Sequence, residues 1–194
     1  MTDVSSRIIL DLCGGTGAWS APYREAGYTV YVITLPDMDV RNFRDDVVKS
    51  RCYGPVHGVL AAPPCDHFAG SGARWWEGKD IDGRTLEGME IAFACIAIIK
   101  MVKPTWWCIE NPVGRFKRMV MNDKSPVWEF DPCDYGDPYT KRTQLWGEFN
   151  IPKLNRVEPT DGSKMHLVPP GPDQKEIRSV TPPGFARAFF EANP

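Results

Sequence analysis

The chain has 194 residues, 42% of them apolar and 25% charged. That is enough for one three-layer core and too few for two, so a single domain over residues 1–194 is expected. The net charge of −2 excludes a densely basic surface that grips duplex DNA by its backbone, and it leaves only local clusters, Arg115 with Lys117 and Arg118, and Lys141 with Arg142, which read equally as a solvated edge. No apolar stretch is long enough to span a bilayer and MTDVSSRIIL is not a secretory leader, so a cytoplasmic protein with no membrane segment is expected.

Residues 7–12 (RIILDL) are a short β-rich run that stops at a glycine turn, residues 13–17, and a helix-compatible stretch follows to about residue 26. A second strand is expected over 28–35, ending at PDMD, and a third over 56–62, ending at Pro63 and Pro64. The spacing predicts a helix over 85–102, with Leu86, Met89, Phe93, Ile96 and Ile99 facing the core and Pro104 marking its end. Residues 105–109 read as another buried strand ending at Glu110-Asn111, and 127–133 and 143–149 as a closing pair of strands. From 148 to 177 the chain is rich in proline and poor in periodicity, so an irregular connection is expected, before a short helix over 183–192 that Pro182-Pro183 starts. Strands alternating with helices imply an α/β fold with a mostly parallel sheet.

Cysteines 13, 52, 65, 95, 108 and 133 contain no C-x-x-C pair, which argues against a disulfide framework or a zinc site; no metal is expected. They read as reduced thiols, with at most one chemically active.

In an open parallel sheet, ligands gather beyond the carboxyl ends of the strands. Asp11 with the turn Gly14-Gly15-Thr16-Gly17, then Asp37 and Asp39, then Cys65, then Glu110-Asn111 all fall there. A glycine turn opening a helix admits a ligand close to the backbone, and an acid after the second strand can take ribose hydroxyls, so a nucleoside-bearing cofactor fits. The spacing is neither G-x-G-x-x-G nor a lysine-containing phosphate loop, which disfavours a dinucleotide or a nucleoside triphosphate. Cys65 on its Pro63-Pro64 stem is a candidate nucleophile with little freedom to lose on reaching attack geometry. Glu110, at the neighbouring strand end, is placed to give or take the proton such an attack requires.

Together these motifs resemble the cytosine-C5 DNA methyltransferases. DLCGGTG (11–17) resembles the family's cofactor loop, Asp39-Val40-Arg41 its adenine-contacting segment, Pro63-Pro64-Cys65 its nucleophile motif and Glu110-Asn111 its Glu-Asn motif. DYGDPYTKRT (134–143) is similar to its D-Y-G-x-P-Q-x-R-x-R segment, and SVTPP (179–183) to its closing turn and helix. The resemblance runs in family order from about Ile8 to Asn193 and implies a three-layer, Rossmann-like class I methyltransferase fold acting on DNA with S-adenosylmethionine. It also implies that Cys65 adds to C6 of cytosine while Glu110 meets N3, with Asn111, Lys141 and Arg142 beside them, and that the base leaves any stack to be reached. The implied cofactor contacts are Asp11, Leu12, Cys13, Gly14, Gly15, Thr16, Gly17, Trp19, Leu35, Asp39, Val40, Pro63, Ser179 and Val180. Pro64, His67, Phe68, Ser71, Arg74 and Arg115 are the implied substrate contacts, and Trp75-Trp76 belong to the loop that closes over the base, as stacking rings or as lid packing.

Three departures from the family pattern stand out. Its second arginine in Q-x-R-x-R is Thr143 here; on a strand Arg142 would face away from Lys141 and Thr143, so Lys141 is the expected substitute. No acid directly follows the second strand, so either Asp37 or Thr34 meets the ribose. Residues 148–177 are too few for an independent recognition domain. The alternatives to DNA methylation are therefore C5 modification of a free pyrimidine nucleotide, or a non-catalytic cofactor- or DNA-binding subunit that relies on a recognition partner.

Overall fold

The computed structural model describes residues 4–43, 54–163, 167–169, 171 and 174–194; Cys52 lies outside them. Strands β1 (Ile8–Leu12), β2 (Thr29–Ile33), β3 (Val56–Ala61), β4 (Trp106–Pro112), β5 (Trp128–Phe130) and β6 (Thr143–Glu148) form one sheet in the order β2-β1-β3-β4-β6-β5. β1 to β4 pair in parallel and β6 runs antiparallel to both of its neighbours. Among the described residues the α-helices are α1 (Ala21–Glu25), α2 (Trp76–Ile81), α3 (Arg84–Val102), α4 (Phe116–Met119), α5 (Gln174–Ser179) and α6 (Pro183–Ala192). The expected mixed α/β architecture is what forms. β1 is buried along its whole length, as a central parallel strand covered on both faces must be.

One face of the sheet packs under α3 together with Phe68 and Phe116. The other packs under α1 and α6 through Trp19, Tyr23, Phe185 and Phe189. Strand order turns back at β1, with β2 on one side and β3 on the other, so the chain leaves the sheet there in opposite directions. The crevice at that switch point receives the residues that follow β1 and β3.

Four local expectations change. α1 does not start at the glycine turn but at Ala21; Pro22 has no amide to donate, so it fits only a first helical turn. β4 continues through Glu110 and Asn111, because pairing with β6 carries it past the last β3 contact at Ala61. α3 buries only part of the expected face: Ile99 is in the core and Met89 and Ile96 pack against it, but Leu86 is 60% and Phe93 45% exposed, and Gly88, Ala92, Cys95 and Ile98 point inward instead. Apolar residues surround that helix, so spacing alone does not select a side. Close approach does, since the His67 ring lies 2.8 Å from where a Gly88 Cβ would sit. Finally, α5 forms inside the segment expected to be irregular, although residues 149–163 do run without helix or strand.

Gly58 in β3 pairs with Trp106 in β4, and the indole occupies the space a side chain at Gly58 would need, its nearest carbon 2.1 Å from an added Cβ. Gly58→Ala should therefore lower stability by about 2 kcal/mol through overpacking. Chemical denaturation reads this directly; an unchanged midpoint would mean that Trp106 does not lie across the strand.

Candidate active site

The chain leaves β1 through a turn in which Cys13 (φ 57), Gly15 (φ 55) and Gly17 (φ 70) are all left-handed. The amide of Gly17 donates to the Gly14 carbonyl (2.8 Å), and that of Gly15 to Thr34 Oγ1 at the end of β2 (3.3 Å). Asp11 lies buried beneath the turn. The Ser20 hydroxyl donates to its Oδ2 at 2.5 Å, whereas its Oδ1 has no hydrogen-bond partner. Gly14 must be glycine, because a Cβ there would fall 2.4 Å from the Asp11 carboxyl carbon. Burial pushes the Asp11 carboxyl up to about 6 against the pull of Ser20.

The remaining residues expected at the cofactor divide sharply. Gly15 and Thr16 are exposed on the turn, as are Leu35 and Asp37 after β2. The side chains of Leu12, Trp19 and Val40 are not available to a ligand: Leu12 and Val40 belong to one core cluster, and Trp19 packs against Phe185 and Phe189 in the other. The Cys13 sulfur turns to α3, 3.9 Å from Cys95 Sγ. Asp39 spends its carboxylate on Arg41, accepting from its amide (2.9 Å) and from Nη2 (2.6 Å), which holds its pKa down. Of the two candidates after β2, only Thr34 bonds the glycine turn.

β3 delivers Cys65 on its proline stem. The Ala62 amide donates to the Leu12 carbonyl (2.9 Å), and the Asn111 side-chain amide donates to the buried Pro63 carbonyl (3.1 Å). The Cys65 carbonyl accepts from the amides of Phe68 (2.9 Å) and Ala69 (2.8 Å), closing the loop behind the thiol. Burial raises the Cys65 pKa, the Glu110 charge raises it further, and Lys141 opposes both. Burial also raises Glu110, again against Lys141. The thiol, carboxyl and ammonium groups therefore share one electrostatic neighbourhood.

Glu110, Lys141, Thr143 and Ser179 line a narrow cleft with Phe130, Thr181, Pro182 and Phe185. Cys65 is not one of its lining residues, and its coupling to Glu110 is electrostatic. The Lys141 ammonium donates to the Arg178 carbonyl (2.9 Å), tying the end of α5 to the site. Arg142 is directed elsewhere: it is exposed and pairs with Asp131 (3.1 Å) and Glu129 (3.6 Å), which corrects its expected place beside the catalytic pair. Val180 is partly exposed beyond the cleft.

The loop after Cys65 corrects two further expectations. Phe68 is fully buried against Phe116, with ring centroids 5.2 Å apart, and cannot touch a base. Arg115 is buried too: its guanidinium binds Asp80 through both oxygens (2.7 and 2.8 Å), Thr85 Oγ1 (2.8 Å) and the His67 carbonyl (2.9 Å), and lies 4.7 Å from the Trp76 ring centroid. Arg115 also holds the Asp80 pKa down to about 2. It is a clamp rather than a substrate contact, and neither Asp80 nor Thr85 carries a sequence signal that would have revealed it. The ring of His67 packs over Gly88, with Nε2 3.5 Å from Asp66. Pro64 is half-buried on the stem, whereas Ser71 and Arg74 are exposed. Phe130, Thr181, Pro182 and Phe185 line the cleft without having been singled out individually; Thr181 and Pro182 lie in the SVTPP segment that was.

Among the described residues, no helix is long and apolar enough to cross a membrane, and no group of three or more His, Cys, Asp or Glu is arranged to hold a metal ion. No protein-family model matches the chain, and no curated protein matches it. Among solved structures, a protein from E. coli described as a DNA modification methyltransferase encoded within a prophage superposes with a TM-score of 0.54 at 17% identity. The match covers 78% of this chain and 53% of that one. The likeness is one of fold, Rossmann-like in its sheet and helices, and the chain spans about half the length of the protein it matches.

The charges around Cys65 predict opposite responses. Glu110→Gln removes a group that raises the thiol pKa, so alkylation of Cys65 by iodoacetamide at pH 7–8 should accelerate; Lys141→Met removes the opposing cation and should slow it. Peptide mass mapping of the labelled cysteine reads both rates. Equal rates in the two variants would show that these side chains do not act on the thiol.

Proposed function

We propose that the chain is an S-adenosylmethionine-dependent DNA methyltransferase that forms 5-methylcytosine through a covalent adduct between Cys65 and C6 of the base. The observation that carries this reading is the electrostatic coupling of a stem-mounted thiol, a half-buried carboxyl group and a lysine at neighbouring strand ends, next to a glycine turn. The likeness of fold to a DNA modification methyltransferase supports it.

The turn fits the cofactor. The left-handed turn leaves open space at Gly15, where a side chain would meet nothing within 4 Å, and the unpartnered Oδ1 of Asp11 is a buried acceptor beneath the turn. Gly15 and Thr16 would lie along the cofactor, Thr34 or Asp37 would take the ribose, and Pro63 and Ser179 would close its ends. When bound, S-adenosylmethionine supplies an electrophilic methyl group to C5.

The chain's own groups make C5 able to accept that methyl. Cytosine C5 is a poor nucleophile in the aromatic ring. Addition of the Cys65 thiolate to C6 forms an S–C6 bond and moves electron density to C5, while Glu110 holds a proton at N3. Loss of the C5 proton to solvent water then re-forms the C5–C6 double bond as the S–C6 bond breaks and the thiolate leaves. The raised pKa of Glu110 suits it to hold that proton. A neutral Glu110 no longer repels the thiolate, which leaves the Lys141 charge to stabilise it. One protonation thus readies both partners. Lys141, which lines the cleft with Glu110 and Thr143, would stand in for the arginine that Thr143 replaces, and Asn111 keeps the stem in place.

A second reading, C5 modification of a free pyrimidine nucleotide, is favoured by one observation: Arg115 and Arg142 are neutralised by acids of the same chain, which thins the cationic surface a nucleic acid would use. Both readings describe a single cytoplasmic domain, with residues 148–177 in place of a recognition module.

Incubation with labelled S-adenosylmethionine and either DNA, RNA or dCMP, followed by base analysis, separates them. The leading reading expects 5-methylcytosine in DNA, a loss of at least about 10³-fold for Cys65→Ala, and cofactor binding retained by that variant. Methylation of dCMP alone selects the second reading, and 5-methylcytosine formed by Cys65→Ala refutes the proposed nucleophile.

A further inference from the structure

Two adjacent tryptophans follow the Cys65 loop, and the fold treats them in opposite ways. Trp76 faces inward, against the guanidinium of the Arg115 clamp. Trp75 is 59% exposed at the end of the 3₁₀ helix Gly70–Trp75, with the Arg74 guanidinium 5.0 Å from its ring centroid. A solvent-facing indole forgoes about 2 kcal/mol of burial. Arg74 backs the ring, and more than half of the residue's surface still meets solvent.

The ring does not sit on a loose loop. The Gly72 amide donates to the Ala69 carbonyl (3.0 Å), and the Ala69 amide donates to the Cys65 carbonyl (2.8 Å). The Lys79 ammonium donates to the Asp66 carbonyl. Arg115 ties α2 and the start of α3 to the His67 carbonyl. The Gly70 amide (2.9 Å to the Val113 carbonyl) and the Arg115 amide (2.9 Å to the Phe68 carbonyl) fasten the same loop to the segment after Glu110. A side chain at Gly114 would collide with the Phe68 carbonyl, 2.0 Å away, so the two segments cross at backbone contact. The backbone that carries the indole is therefore tied to the loop that carries the thiol.

We infer that Trp75, backed by Arg74, is a stacking platform for a base next to the target, and that the site's preferred substrate is single-stranded DNA. This rests on the proposed function and specifies its substrate class. A platform of this kind takes a base only by its open face, which an unpaired strand offers and a stacked duplex does not. Stacking is indifferent to sequence and needs no recognition module. Duplex binding instead draws on many free cations, whereas here Arg115 is paired with Asp80 and Arg142 with Asp131 and Glu129 in a chain of net charge −2. Arg74, over the ring, is placed to meet the phosphate that accompanies the stacked base.

Fluorescence anisotropy with labelled 12-residue oligonucleotides, single-stranded DNA, duplex DNA and single-stranded RNA, tests this on the full chain in wild-type, Trp75→Phe, Trp75→Ala and Arg74→Ala forms. Single-stranded DNA should bind tightest. Trp75→Ala should weaken it about ten-fold or more, Trp75→Phe should retain most of the affinity, and the thermal midpoint should not move. Wild-type affinity for single-stranded DNA in Trp75→Ala overturns the platform, and tighter binding of duplex or of RNA overturns the choice of substrate. The methylation assay runs separately: Trp75-dependent binding without 5-methylcytosine keeps the platform and removes the chemistry, whereas equal methylation of both DNA forms, indifferent to Trp75, does the reverse.

Discussion

The hydrogen bond from the Asn111 side chain to the Pro63 carbonyl joins two neighbouring strand ends at the point where chemistry is possible. Pro63 has no amide and Pro64 fixes the next backbone angle, so the stem that carries Cys65 is stiff but has few ties of its own. Asn111 supplies one from β4, next to Glu110. The crossing of Phe68 and Gly70 with Val113 and Arg115 supplies others. The parallel sheet brings these ends to the same side; the braces hold the thiol and the carboxyl in register there.

Electrostatics then acts on what the braces position. Cys65 and Glu110 are both disfavoured as anions by burial, and the Glu110 charge disfavours the thiolate further, while Lys141 favours both. Such a set holds one negative charge more comfortably than two. A reaction in which the carboxyl keeps a proton while the sulfur becomes nucleophilic works with this preference. Lys141 also reaches the Arg178 carbonyl, so the cation that balances the pair also fastens the segment that forms the far wall of the cleft.

Much of this was legible in the sequence because it depends on residues with few conformational options. Gly14 to Gly17, Pro63-Pro64 and Pro182-Pro183 mark the ends and starts of elements, and the apolar runs between them are short enough to be strands alone. Strand alternation was expected to separate Arg142 from Lys141; the two do part, Lys141 lining the cleft and Arg142 pairing with Asp131 and Glu129, but in the irregular segment before β6. What could not be read depends on contacts distant in sequence. Apolar residues are spread around α3, so contacts distant in sequence orient it, among them His67 over Gly88, Cys13 beside Cys95 and Arg115 on Thr85. Arg115 lies in a basic cluster and looked like a surface cation, but its partners Asp80 and Thr85 are 35 and 30 residues away. Phe68 and Trp19 sit within motif segments yet face the core, because a short motif shows neither side nor depth. The split between Trp75 and Trp76 follows from the same clamp.

The central claim is that the Cys65 sulfur bonds to a cytosine ring. A single-stranded oligonucleotide carrying one 5-fluorocytosine tests it most directly, since fluorine at C5 blocks the elimination that frees the sulfur. With S-adenosylmethionine present, intact mass measurement should show one oligonucleotide attached per chain, and peptide mapping should place it on Cys65. Attachment through another cysteine, or none while an unmodified cytosine in the same sequence is methylated, would contradict the account.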